Sequence, residues 1–223
     1  MNNKILITIS ILILAIAIIG KLIFIMAKNI KPDEFHKSAI IFVVDSSASN
    51  QKMLPEEIKY LKSLCSILDP EDAIKILKVS ENSYLIYEGS PSDSIGITKA
   101  VEAFTKYDEK DYGTAYGEGL KKAFEHCLTM KKNGYIPSIV VIGDLENEGA
   151  IEKQINWETL PENVKSIQKY IPEISMIFVY AHPEKLDYVK TKLNPILGEK
   201  KLIIANEQNV QKAQRRFLEA IGR

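Results

Sequence analysis

The chain has 223 residues, with 29 Lys and Arg against 29 Asp and Glu, so its formal net charge is zero. That length suits one domain with a full core and an appendage, and balanced charge without a basic run gives no reason to expect nucleic acid as a partner. Cys65 and Cys127 are too few for a disulfide framework; both fall on apolar faces of helical patterns and read as buried free thiols.

Ile5 to Ala27 is apolar except for Thr8, Ser10, Gly20 and Lys21. About 20 such residues span a bilayer, and Lys21 is near enough to one end for its stem to reach the headgroups. Residues 1–28 are therefore expected to be a transmembrane anchor. A cleaved signal peptide with Ile5 to Gly20 as its apolar part is the other reading, but no A-x-A site follows and Leu22 to Met26 prolongs the run. Lys28, Lys31 and Lys37 outnumber Lys4, and charge counting alone would keep the following domain inside. Long domains, however, translocate largely regardless of charge, and an apolar segment this near the start commonly acts as an export signal. The domain is expected outside the cytoplasm. Residues 29–37, with Pro32 and few apolar side chains, read as a linker, and 38–223 as the domain.

The domain opens with A-I-I-F-V-V-D-S-S-A-S-N, Ala39 to Asn50. Ile40 to Val44 is a continuous β-branched and aromatic run, the mark of a strand covered on both faces. Asp45 stands at its carboxyl end, where open α/β sheets bind ligands, and Ser47 and Ser49 follow at alternate positions. Pro55, Glu56 and Glu57 suit the first turn of a helix whose inward face is read as Ile58, Leu61, Cys65 and Leu68, ended by Asp69-Pro70. Ala73 to Val79 and Ser83 to Tyr87 are two strands joined by a hairpin at Glu81-Asn82. Ile97, Val101 and Phe104 give a helical stripe.

Tyr107 to Tyr116 is a polar loop containing Gly113-Thr114, and Leu120, Ala123, Phe124, Cys127 and Leu128 form a helical face after it. Ser138 to Ile142 is a second buried strand, ending at Gly143-Asp144. A loop over Asn147 to Trp157 leads to a helix marked by Leu160, Val164, Ile167 and Ile171. A strand over Ile174 to Tyr180, a helix marked by Leu186, Val189 and Leu193, a strand over Leu202 to Ala205 and a last helix marked by Val210, Ala213, Phe217 and Ile221 complete the chain. Alternating strands and helices predict an α/β fold, a doubly wound, mostly parallel sheet with one antiparallel edge strand.

The D-x-S-x-S order of Asp45, Ser47 and Ser49 resembles the first loop of the metal-ion-dependent adhesion site of von Willebrand factor type A (vWA) domains. The element order, with its early hairpin, is similar to that family from about Ser38 to Arg223. The resemblance implies a threonine from a second loop, best matched by Thr114, and an aspartate from a third, matched by Asp144. It implies Mg2+ or Mn2+ held by Asp45, Ser47, Ser49, Thr114 and Asp144, with a protein partner's acidic side chain completing the shell. It also implies binding, not turnover. The third loop departs from the family, which has threonine, aspartate and glycine where this chain has Gly143-Asp144-Leu145. Glu146 and Glu148 add carboxylates that either compete as ligands or face solvent.

Hard divalent cations take oxygen ligands of these kinds. The same residues also have plainer uses: Asp45 with its serines as a turn cluster, Thr114 as a helix cap, Asp144 as a turn residue. A metal-free interaction scaffold and a metal-dependent phosphohydrolase therefore stay open. Against the hydrolase, Ser47 stands where a second aspartate is needed, and neither a Gly-rich phosphate loop nor a G-x-S-x-G elbow is present. His36, His126 and His182 are scattered, without H-x-x-x-H or C-x-x-C spacing, which argues against zinc.

Overall fold

Strand β1 (Ser38–Asp45) is buried at every position. Its side chains alternate between two layers, and each layer needs apolar atoms from it, so the strand carries no polar face. The structure is a computed structural model that describes residues 36–105 and 113–223. After β1 come α1 (Leu54–Ile67), β2 (Ala73–Val79), β3 (Ser83–Gly89), α2 (Ser94–Thr105), α3 (Tyr116–Lys132), β4 (Ile136–Ile142), α4 (Leu160–Tyr170), β5 (Ser175–Val179), α5 (Pro183–Leu197), β6 (Leu202–Ala205) and α6 (Val210–Ala220). Short 3-10 turns lie at Ser49–Lys52 and Ile151–Lys153.

The sheet order is β3-β2-β1-β4-β5-β6. All neighbouring pairs are parallel except β2 and β3, whose register shifts between Ile76 and Leu77. The turn between these two strands closes with the Ser80 N–H donating to the Asn82 carbonyl at 3.0 Å. This is the mostly parallel sheet with an antiparallel edge that the alternation of elements predicts. Ile41 and Val43 face α3, α4 and α5, while Ile40, Phe42 and Val44 face α1, α2 and α6. Burying apolar area on both faces is the main driving force for such a sandwich.

The central pair β1 and β4 sets the site. The chain leaves β1 toward α1 on one face and leaves β4 toward α4 on the other. A crevice opens where neighbouring parallel strands send their connections apart, beyond their carboxyl ends. Asp45 ends β1, and Gly143-Asp144 follows β4 directly.

The inward face of α1 matches the sequence reading at Leu61, Cys65 and Leu68 and differs from it at Ile58. Leu54, Glu57, Tyr60, Leu61, Leu64 and Cys65 are buried, and Ile58 is only half-buried. Glu57, read as suited to the first turn, points inward. In α3, Phe124 and Leu128 are also only partly buried; they line a groove of about 790 Å³ between α3 and α4 that holds none of the five expected site residues. Cys65 and Cys127 are buried free thiols. The expected anchor and nearly all of the linker lie outside the described residues. No helix among the described residues is long and apolar enough to cross a membrane.

Candidate functional site

Asp45 has no solvent exposure. It stands at the carboxyl end of β1 as read from the sequence, but its side chain is buried beneath the loops there and not open to solvent. Its Oδ1 accepts the Ser47 N–H at 2.8 Å, and its Oδ2 accepts the Tyr116 hydroxyl at 3.1 Å. Its carbonyl accepts Asn50 Nδ2 at 3.2 Å, which folds the loop back into the following 3-10 turn. Among the described residues no basic side chain pairs with Asp45. Burial raises its pKa to about 7, opposed by the Ser47 N–H and reinforced by the charge of Asp144.

The serines run outward from this carboxylate. Ser47 is buried, and its hydroxyl lies 3.1 Å from that of Ser49, which is exposed. The Ser49 hydroxyl donates to Glu148 Oε2 at 3.1 Å. Ser46, between Asp45 and Ser47, points away and donates to the Val79 carbonyl on β2.

Thr114 supplies the second loop, two residues before α3. Its N–H donates to the Glu148 carbonyl at 3.1 Å, forming an isolated bridge between the second and third loops. Its side-chain hydroxyl is buried and has no hydrogen-bond partner among the described residues. An orphaned buried hydroxyl is costly unless something outside the chain satisfies it.

The third loop is strained in a particular way. Gly143 has φ of 134° and Leu145 has φ of 64°. A Cβ on Gly143 would lie 2.0 Å from the Tyr116 hydroxyl oxygen and 2.5 Å from Asp45 Cβ, so only glycine fits beneath this crossing. Leu145 adopts the left-handed region at the usual steric cost of such a residue, and its buried side chain holds it there. Asp144 is half-buried; its Oδ1 accepts the Glu146 N–H at 2.8 Å, and its pKa is raised, chiefly by burial.

Two groups were missed in the sequence. Tyr116 is fully buried and bridges the loops, donating to Asp45 while its oxygen receives the Leu145 N–H at 3.4 Å. Glu57 is fully buried on α1; its Oε2 accepts Asn50 Nδ2 at 2.8 Å and its Oε1 has no partner among the described residues. Burial raises the Glu57 pKa to about 8, with Asn50 opposing and the charges of Asp45 and Asp144 adding. The spacing Leu54, Glu57, Leu61, Leu64 put Glu57 on an apolar helical face and was the available signal. Tyr116 carried no comparable signal.

The five expected residues thus belong to one cluster of loops at the carboxyl ends of β1 and β4. The donor set consists of oxygens only, which fits a hard dication. No group of three or more His, Cys, Asp and Glu converges to hold a metal among the described residues. Any cation here would depend on hydroxyls together with two carboxylates.

No family model matches the sequence, and no curated protein matches it. Solved structures do match. A von Willebrand factor type A structure from Catenulispora acidiphila aligns with TM-score 0.54 and 13% identity, over 84% of this chain and 43% of that one. An aerotolerance-related membrane protein from Bacteroides fragilis, carrying multiple mutations to serine, aligns with TM-score 0.56 and 15% identity, over 82% and 98%. Proximal thread matrix protein 1 from the mussel byssus, with a zinc-occupied MIDAS motif, aligns with TM-score 0.54 and 12% identity, over 83% and 48%. At these identities the likeness is one of fold, and the fold is that of vWA domains.

Proposed function

We propose that this chain is a membrane-anchored, cation-dependent protein-binding module. Asp45, Ser47, Ser49, Thr114 and Asp144 would hold Mg2+ or Mn2+, and a partner's acidic side chain would engage the cation. The observation that carries the reading is the Thr114 hydroxyl, buried and without a hydrogen-bond partner among the described residues, in a loop tied through Glu148 to the loop that carries Asp45, Ser47 and Ser49. A bound cation supplies an electrophilic position for a carboxylate oxygen. The chain's own residues do the rest. The Ser47 N–H and the Tyr116 hydroxyl fix the Asp45 carboxylate, and the Thr114–Glu148 backbone bond joins the loops that carry the other oxygens. With two carboxylates and three hydroxyls the site carries little negative charge, which leaves the cation attractive to an acidic partner. Binding and not turnover is proposed, as the resemblance to vWA domains implies.

Calorimetric titration of Mg2+ and Mn2+ tests this. The wild-type chain should bind; Asp45→Asn should abolish binding, and Asp144→Ala should weaken it by about tenfold or more. Equal affinity in all three would favour a metal-free scaffold. That second reading has its own observation: both Asp45 oxygens already accept hydrogen bonds within the chain.

The anchor proposed over Ile5 to Ala27, with the domain outside the cytoplasm, is supported by the length of the apolar run. The likeness to a protein described as a membrane protein agrees with it. Mass measurement of the mature chain should show no loss at the amino end, and a reporter fused after Arg223 should be active only in its extracytoplasmic form.

A further inference from the structure

Among the loop residues, Glu148 is bound to two of the five proposed ligands and yet is not one of them. Its side chain accepts the Ser49 hydroxyl at 3.1 Å, and its carbonyl accepts the Thr114 N–H at 3.1 Å. Burial orders the cluster from floor to mouth. Asp45, Ser47 and Thr114 are buried, Glu148 is half-buried and Ser49 is exposed. Glu148 does not converge with Asp45 and Asp144 as a third acidic ligand. Its carboxylate therefore stands on the rim, against the solvent-facing member of the set. A second observation, independent of these rim contacts, says that the floor awaits an occupant: Thr114 is only 1% exposed, and its buried hydroxyl has no partner among the described residues.

We infer that Glu148 is a built-in acidic gate, a carboxylate of the chain's own that occupies the approach a partner's acidic side chain must use. This inference rests on the cation reading above and specifies how that site is regulated. The physical argument is one of like charges. An incoming carboxylate reaches the cation past Ser49, and there it meets Glu148, held in place by the Ser49 hydroxyl. Two carboxylates in contact repel, and the partner must displace Glu148 from Ser49 to enter. The gate opens through a small rotation of one half-exposed side chain. The Glu148 backbone stays bonded to Thr114, so the ligand loops hold while the mouth clears. Only partners that contribute enough other contacts would overcome it, which makes Glu148 a source of selectivity against free carboxylates.

Glu148→Gln tests the gate, because glutamine keeps the size and an acceptor oxygen for Ser49 while removing the charge. The full chain in detergent is titrated with Mn2+, with free Mn2+ read by electron paramagnetic resonance. Acetate is then added to the Mn2+-loaded protein, and displacement of metal-bound water is followed by water-proton relaxation. The variant should still bind Mn2+ and should respond to acetate at about fivefold lower concentration than wild type, the size expected for removing one like charge near the surface. An unchanged or higher acetate requirement overturns the gate and leaves the cation reading standing. Loss of Mn2+ binding in Glu148→Gln makes Glu148 a ligand and also overturns it. Failure of wild type to bind Mn2+ removes the cation reading, and the gate falls with it.

Discussion

At the scale of single residues, the site depends on one crossing: Tyr116 over Gly143, with Asp45 beneath. The Tyr116 hydroxyl reaches Asp45 Oδ2 only because Gly143 has no side chain at that point. Gly143→Ala would place a methyl group 2.0 Å from that oxygen, in a backbone conformation that alanine resists. The tyrosine is fully buried and cannot swing into solvent, so the third loop or the helix start must shift. Gly143→Ala is therefore expected to destabilise the fold by at least about 2 kcal/mol, seen as a lower denaturant midpoint with unchanged slope. It should also weaken Mn2+ binding more than Tyr116→Phe, which removes the hydroxyl but leaves the loops in place. A Gly143→Ala protein as stable as wild type would show that this approach is looser than the distances imply.

At the scale of elements, the end of the chain is tied to its core. After α6, Arg223 Nη2 donates to Asp72 Oδ1 at 2.6 Å, and the same oxygen accepts the Ser38 N–H at 2.8 Å where β1 begins. The second Asp72 oxygen accepts the Asp69 N–H at 3.0 Å. One buried carboxylate thus joins α6, the turn before β2 and the first residue of the central strand. Asp72→Ala should cost about 2–3 kcal/mol, because it leaves a buried N–H and a guanidinium short of an acceptor; hydrogen exchange should show early loss of protection at Ser38. The elements themselves were largely legible in the sequence. Apolar runs such as Ile40 to Val44 and Ile139 to Ile142 mark buried strands, because a strand covered on both faces is apolar on both. The phase of α1 was not legible in the same way. Ile58 competed for the inward face with Leu54 and Leu64, and a glutamate beside a helix start has a ready explanation in the helix dipole. The loops were partly legible. Asp45, Ser47 and Ser49 lie within five residues, but Tyr116 meets Asp45 across 71 positions of chain, and only the three-dimensional arrangement shows that contact.

For the whole molecule, the consequence is an unusual dependence of stability on pH. Three carboxyl groups that interact through charge are taken into the fold without a basic partner for Asp45 or Glu57 among the described residues. Their pKa values are raised, to about 7 for Asp45 and about 8 for Glu57, chiefly by burial, and Asp144 is raised as well. In the unfolded chain such groups titrate near 4. Below that value both states are protonated and nothing is lost. As pH rises the unfolded chain ionises first, while the folded chain keeps its protons until the raised values are passed. The folded state therefore binds more protons between about pH 4 and 8, and its stability falls across that window. The total is on the order of several kcal/mol. On the proposed cation reading a dication should reverse the trend, since it would bind the ionised form of Asp45 and compete with the proton. With chelator present, Tm should fall steadily from pH 5 to pH 8. With excess Mn2+, Tm should be restored at pH 8 and little changed at pH 5. Asp45→Asn together with Glu57→Gln should flatten the chelator curve and remove the Mn2+ effect, because the first change deletes the carboxylate proposed to hold the cation and both delete the buried titrations. A chelator curve already flat in the wild-type protein would mean that these carboxyls stay hydrated and ionised in the fold, and the burial argument for all three would fail together.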